Sequence, residues 1–98
     1  MKKEMNYSIL PEHMQEGMKR YVEYGVNPGD FLYHIICNDF VHALVHADQI
    51  NMARIVDYAK FLYFEAPSGC WGSVEKVNNW RKARKEEALK AEELKGGE

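Results

Sequence analysis

The segment Phe61-Leu-Tyr-Phe-Glu-Ala-Pro-Ser-Gly-Cys-Trp-Gly-Ser73 lies between two predicted helices, and the rest of the chain is organised around it. Its aromatic first half continues a helical pattern, which Pro67 and Gly69 end. Ser73 is a suitable N-cap for a new helix. The segment therefore predicts a helix, a tight turn and a second helix, with chemically distinctive side chains on the turn.

Two more helices are predicted upstream of this segment. The first begins at Pro11, whose missing N–H costs nothing at the first helical position, and ends at Gly25, which suits a left-handed cap. The next has Asn27 as its N-cap and spans residues 28–47. Apolar residues on nearly all of its faces are typical of a central, buried helix. Asp48 then caps a third helix, which runs into the quoted segment. The prediction is an all-α fold, a compact four-helix domain with a charged, projecting C-terminal helix.

Composition divides the chain into three parts. Residues 1–9 show no clear period, so we expect a flexible N-terminal arm. Residues 10–85 carry the apolar patterns and form the helical domain. Residues 86–98 are rich in Lys, Glu and Ala, which favour helix. Only Leu89 and Leu94 are apolar enough to pack, so we expect a solvated helical tail that is frayed at its end.

Length and charge exclude several classes of protein. A chain of 98 residues with a net charge of −2 is one small domain and has no global attraction for nucleic acid or anionic membrane. No apolar run approaches the ~20 residues of a membrane span, and the N-terminus lacks the apolar region of a signal peptide. The two cysteines, Cys37 and Cys70, are too few for a disulfide framework. We expect free thiols and a cytoplasmic location.

The turn between the last two helices is the candidate binding site. Its glycines permit unusual dihedrals and close backbone approach, and the following helix start offers N–H groups to an anion. Trp71 is suited to stacking on a planar ligand or anchoring a partner. The alternative is that Trp71 plugs the core and that Ser73 is an ordinary cap. The predicted ligand- or partner-binding residues are Tyr63, Cys70, Trp71, Gly72, Ser73 and Arg81.

Other motifs allow catalytic or metal chemistry but lack required parts. His42 and His46 lie one helical turn apart, a spacing that can chelate a metal, but the glutamate of the zinc-protease motif is absent. We therefore expect two surface histidines and no metal site. Cys70 precedes a helix start, which favours a thiolate, but no histidine lies near it in the sequence. The basic run at residues 81–85 is followed at once by two glutamates and is typical of a solvated helix face.

A set of short motifs distributed over about residues 10–80 resembles small proteins encoded by bacteriophages and prophages. These motifs are Gly29-Asp30-Phe31-Leu32, Asn38-Asp39, Ala47-Asp48, Phe61-Leu-Tyr63, and Ala66-Pro67 through Cys70-Trp71-Gly72-Ser73, ending at Trp80. That group has no assigned reaction, so the resemblance implies no catalytic residue. It implies a protein that acts by binding, which blocks a host protein, sequesters a small signal molecule or adjusts phage gene expression.

Together, the motifs and the resemblance predict a non-enzymatic binding protein without a cofactor in the cytoplasm of a host bacterial cell. It would counter host defence by sequestering a small anionic, nucleotide-like ligand or by blocking a host protein. The abundance of aromatic residues in a small chain also predicts a homo-oligomer, most simply a two-fold dimer. Two alternatives remain open. One is a nucleic-acid-binding regulator that uses the basic start of the last helix, and the other is a small enzyme that uses Cys70 or the His42/His46 pair.

Overall fold

Helices account for almost all of the regular structure in the computed structural model, which describes residues 5–96. No strand occurs within that range, so the predicted all-α class is confirmed. The helices are α1 (Glu12–Tyr24), α2 (Asp30–Ile36), α3 (Phe40–His46), α4 (Gln49–Ala53), α5 (Ile55–Lys60) and α6 (Val74–Gly96). A π-helical turn (Phe61–Glu65) extends α5, and two 3₁₀ turns lie at Tyr7–Ile9 and Ser68–Cys70.

The helix predicted over residues 28–47 is divided in two, which differs from the single central helix expected. Asn38 has a φ of 62°, a left-handed conformation that asparagine tolerates better than most residues. The chain changes direction there, so that α3 packs against α2 instead of continuing it. The start also differs, because the Asn27 side chain accepts a hydrogen bond from the Gly29 N–H and α2 begins only at Asp30.

Burial follows this division. All four apolar residues of α2 that face inward, Phe31, Leu32, Ile35 and Ile36, are buried. In α3 only Ala43 is buried, and Val41 and Val45 are exposed. The expectation of a fully buried central helix is therefore wrong for its second half. An apolar surface is left on α3 that nothing in the described part of the chain covers.

The third predicted helix is interrupted as well. Arg54 separates α4 from α5, and its guanidinium bonds to Asp57 (2.8 Å) and to the carbonyl oxygen of Ile9 (2.7 Å). The π-helical turn then follows α5 and closes with a hydrogen bond from the Ala66 N–H to the Phe61 carbonyl oxygen. Predicted caps are present at Gly25 (φ 71°), at Asp48 and at Ser73.

The core is formed mainly by apolar side chains from α1, α2, α5, the π-helical turn and α6, together with Leu10 before α1, Ala43 of α3 and Cys70. Its fully buried members with the largest side chains are Tyr21, Tyr58, Phe61, Leu10, Met18 and Leu32. Burial of these side chains away from water is the main source of folding free energy. Helix α6 joins the core through Val77, and Gly25 at the end of α1 lies directly against α6. A Cβ atom added at Gly25 would approach the Arg84 Cβ to 2.9 Å.

The two ends of the described chain behave differently. Residues 5–9, expected to belong to a flexible arm, lie against the domain, with the Tyr7 ring 5.4 Å from that of Phe61. Helix α6 extends to Gly96 without a break, and its side chains from residue 85 to 93 are exposed. Residues 1–4 of the predicted arm, and Gly97 and Glu98 of the predicted frayed end, lie outside the described residues. Over residues 5–96, no helix has both the length and the apolar character needed to cross a membrane.

Candidate functional site

A groove with a volume of about 440 Å³ lies between the α2–α3 turn on one side and α5 with the π-helical turn on the other. Trp71 forms part of its wall. The side chains that line the groove are mainly apolar or aromatic, and they include Ile35, Phe40, Leu62, Tyr63, Phe64 and Trp71. A concave apolar surface of this size is the usual form of a site for a ligand or for a partner's side chains.

Few charges line the groove. Its polar lining consists of Asn38, Asp39 and Lys60. The Asp39 pKa is lowered, chiefly because the His42 ring hydrogen-bonds to its carboxylate, so Asp39 is ionised at neutral pH. Lys60 is the single cation on the lining, and Asp39 offsets its charge. Among the described lining residues the two charges therefore cancel, which does not favour the binding of a phosphate group.

The π-helical turn places two large aromatic side chains at the surface beside the groove. Phe61 and Leu62 are buried, whereas Tyr63 is 75% exposed and Phe64 is 66% exposed. The two exposed rings meet edge to face, with their centroids 4.9 Å apart. Short π-helical segments within α-helices occur frequently at functional sites, and adjacent exposed aromatics are typical of interaction surfaces.

Two hydrogen bonds fix the backbone of the loop before α6, one on each side of Trp71. The Tyr21 hydroxyl donates a hydrogen bond to the Cys70 carbonyl oxygen (2.6 Å), and the Gly72 N–H donates one to the Ile36 carbonyl oxygen (2.7 Å). Trp71 lies between these two anchors and is partly buried. Its indole N–H is buried and has no hydrogen-bond partner within the described residues. The backbone is thus fixed, while no polar contact fixes the ring.

Three of the predicted site residues make contacts within the fold. Cys70 is completely buried, and burial raises the pKa of its thiol to about 12, so almost no thiolate forms at neutral pH. The Gly72 N–H is used by Ile36. The Ser73 hydroxyl accepts from the Lys76 N–H as an ordinary helix cap. Of the predicted set, Tyr63 and Trp71 are brought together at the groove.

Arg81 also has a structural contact away from the groove. Its Nε donates to the Gly25 carbonyl oxygen (3.0 Å), which satisfies the C-terminal end of α1. Nearby, the Trp80 Nε1 donates to the Val22 carbonyl oxygen (3.0 Å), and the Arg84 guanidinium lies 4.1 Å above the Trp80 ring. The basic start of α6 is therefore partly used to join α6 to α1.

His34 joins the predicted His42/His46 pair to form a histidine cluster, which the sequence did not indicate. The His34 ring stacks on those of His42 and His46, at centroid distances of 5.4 and 5.3 Å. The Asp39 carboxylate contacts His42 Nδ1 at 2.9 Å and His34 Nδ1 at 3.4 Å. Over the described residues, no group of three or more His, Cys, Asp or Glu side chains is arranged to hold a metal ion. An asparagine followed by an aspartate within the apolar run was the available signal for a chain reversal.

Comparison with protein families, with curated proteins and with solved structures finds no match to this chain. The resemblance to small phage proteins therefore stays a prediction.

Proposed function

We propose that this chain is a non-enzymatic binding protein of phage type, and that its groove takes up apolar side chains from the surface of a host protein. The observation that carries the proposal is the groove itself, where Trp71 in the wall and the exposed Tyr63–Phe64 pair surround about 440 Å³ of apolar space. Aromatic side chains at the centre of an interface commonly supply most of its binding free energy.

The charge around the groove favours a protein partner over a nucleotide-like ligand. Lys60 is the single lining cation, and the neighbouring Gly72 N–H already has an acceptor. A phosphorylated ligand needs several donors or cations, whereas an apolar protein surface needs neither. Arg81 contacts the end of α1, which also weakens the alternative of a nucleic-acid regulator that uses the start of α6.

The indole N–H groups of Trp71 and Trp80 differ in a way that supports a binding role for Trp71. The Trp80 indole N–H has a backbone acceptor on α1, as expected of a structural residue. The Trp71 indole N–H is unpaired and its ring faces the groove lining. Buried donors usually have partners in folded proteins, and an acceptor on a bound partner would satisfy the Trp71 N–H.

We further propose a two-fold dimer that uses the outer face of α3. Val41 and Val45 are exposed one helical turn apart, and neither lines the groove. In a two-fold contact the same face meets itself, so two such pairs would cover one another. Light scattering at micromolar concentration tests this, and a dimer that becomes a monomer in V41E supports it. A wild-type monomer would overturn it.

The binding proposal is tested by affinity capture from a bacterial lysate with quantitative mass spectrometry. A double variant, Tyr63→Ala with Phe64→Ala, removes the exposed pair. Tyr24→Ala is the matched control, because Tyr24 is an equally exposed aromatic (65%) that does not line the groove. We expect at least one host protein retained by wild type and Tyr24→Ala but lost from the double variant, followed by direct binding of that purified protein.

Two results would contradict the proposal. One is an identical set of captured proteins for all three forms. The other is a nucleotide-like molecule released from the purified wild-type protein on denaturation and seen by mass spectrometry, which would favour the sequestering alternative instead.

A further inference from the structure

The histidine cluster joins the two helices that form one side of the groove. His34 is on α2, and His42 and His46 are on α3. Both ring pairs are within 5.4 Å, and the His34 side chain is 23% exposed, so its ring is largely enclosed. The α2–α3 turn between them, with Asn38 and Asp39, contributes directly to the groove lining.

We propose that this cluster is a proton-operated switch: protonation of the stacked imidazoles separates α3 from α2 and alters the groove. The inference concerns the shape of the groove and holds whichever molecule occupies it. Imidazole changes charge between pH 5 and 8, so the switch operates near physiological pH.

Repulsion is the driving force. Neutral imidazole rings stack without electrostatic cost, but two imidazolium rings at these distances repel one another. His34 lies in the last turn of α2 and His46 in the last turn of α3. Separation of the two helices would therefore part these rings and relieve the repulsion between them.

Within the described residues, one carboxylate balances this charge. Asp39 contacts His42 and His34, and it offsets a single positive charge at most. The other titratable groups beside the cluster are neutral near pH 7: the Tyr33 ring meets His34 edge to face at 5.7 Å, and Cys37 is hydrogen-bonded to Tyr33, with burial raising the pKa of its thiol. A second proton therefore has no counter-charge.

The backbone offers a hinge for the movement. Asn38 joins α2 to α3 in a left-handed conformation, and each of these helices has only seven residues. Helix α3 buries only Ala43, and within the described residues α2 is the one element that it packs against extensively, so contacts with the rest of the core do little to hold it in place. Segments with little buried apolar surface open at low free-energy cost.

The test is amide hydrogen exchange and histidine NMR on the full chain at pH 7.5 and pH 5.5, with a chelator present to remove adventitious metal. After correction for intrinsic rates, we expect amides of α3 to exchange at least about tenfold faster at pH 5.5, while those of α1 change little. Histidine NMR recorded in parallel should show that the ring-to-ring contacts of His34 with His42 and His46 are lost as α3 exchange increases.

Three variants sharpen the test. His34→Gln removes the central ring and should abolish the pH-dependent exchange. Asp39→Asn removes the counter-charge and should move the opening of α3 to higher pH, which keeps the proposal testable if His34→Gln fails to fold. His13→Gln is the matched control, because His13 pairs with Asp48 (3.0 Å) outside the cluster and should leave the α3 response unchanged.

The proposal is overturned if α3 exchange changes less than about threefold between the two pH values, within the variation of local opening. It is equally overturned if the ring-to-ring contacts persist at pH 5.5, or if Asp39→Asn opens α3 at lower pH than wild type. The proposal is also overturned if α3 exchange in His34→Gln changes with pH as much as it does in wild type.

Discussion

Tyr21→Phe removes one oxygen atom and tests how the loop that carries Trp71 is held. Tyr21 is fully buried, and its hydroxyl donates to the Cys70 carbonyl oxygen at 2.6 Å. Phenylalanine keeps the ring and its packing, so the change isolates the hydrogen bond. The Cys70 carbonyl would lose its tyrosine donor in the interior of the protein.

The expected loss of stability follows from that geometry. A buried polar group left without its partner costs about 1–3 kcal/mol, more than the net value of an average hydrogen bond. We expect a loss of about 2 kcal/mol. For a domain of this size, each kcal/mol lowers the melting temperature by about 4–8 °C, so the shift should be about 8–16 °C.

The assay is thermal and urea unfolding followed by circular dichroism. The matched control is Tyr24→Phe, because Tyr24 is 65% exposed and should change stability by less than about 0.5 kcal/mol. Equal melting temperatures for Tyr21→Phe and the control would refute the idea that this bond anchors the loop. A second readout is capture of the proposed host partner, which should weaken in Tyr21→Phe at temperatures where the variant stays folded.

Three further outcomes are expected. Trp80→Ala should lower the melting temperature more than Trp71→Ala, because only the Trp80 indole N–H is hydrogen-bonded to the backbone of α1. The reverse order in thermal melts would make Trp71 the structural residue and would contradict this assignment. Deletion of residues 86–98 should cost less than ~1 kcal/mol, since the described side chains there are exposed, and a fall in melting temperature above about 8 °C would contradict this. Burial raises the pKa of Tyr21 and of Tyr58 above that of an exposed tyrosine. Their contribution to the free energy of unfolding should therefore be constant up to about pH 10 and should fall as the pH rises further, because the folded protein disfavours the tyrosinate forms. An unchanged free energy of unfolding at pH 11.5 would argue against their burial.

Local signals in the sequence were sufficient for the fold class and for three of the helix caps. The caps at Gly25, Asp48 and Ser73 depend on the residue and its immediate neighbours, and the structure has all three. Tyr63 and Trp71 were also predicted as site residues, and the structure places both at the groove. The signals that pointed to them were local: Tyr63 is an aromatic shortly before the break at Pro67, and Trp71 lies between the glycines of the turn.

The histidine cluster depends on a chain reversal at Asn38, which the apolar periodicity of residues 28–47 did not predict. In one continuous helix, His34 and His42 would be separated by about 12 Å along the axis, because each residue rises 1.5 Å. The left-handed Asn38 replaces that separation with ring stacking at 5.4 Å. The backbone conformation of Asn38 alone thus brings the two rings together. The apolar pattern over residues 28–47 does not indicate this conformation. The structural contacts of Cys70 and Arg81 could not be predicted for a related reason. Their hydrogen-bond partners, Tyr21 and Gly25, lie 49 and 56 residues away in the chain.

The unbroken course of α6 has a practical consequence for attaching this protein to other objects. Beyond Arg84, which lies against Gly25, the helix continues to Gly96. Those twelve residues span about 18 Å at the rise of an α-helix. A fluorophore, a surface linker or a fused reporter joined at that end would stand off from the folded body by this length. The helix is thus a built-in spacer for immobilised or single-molecule measurements.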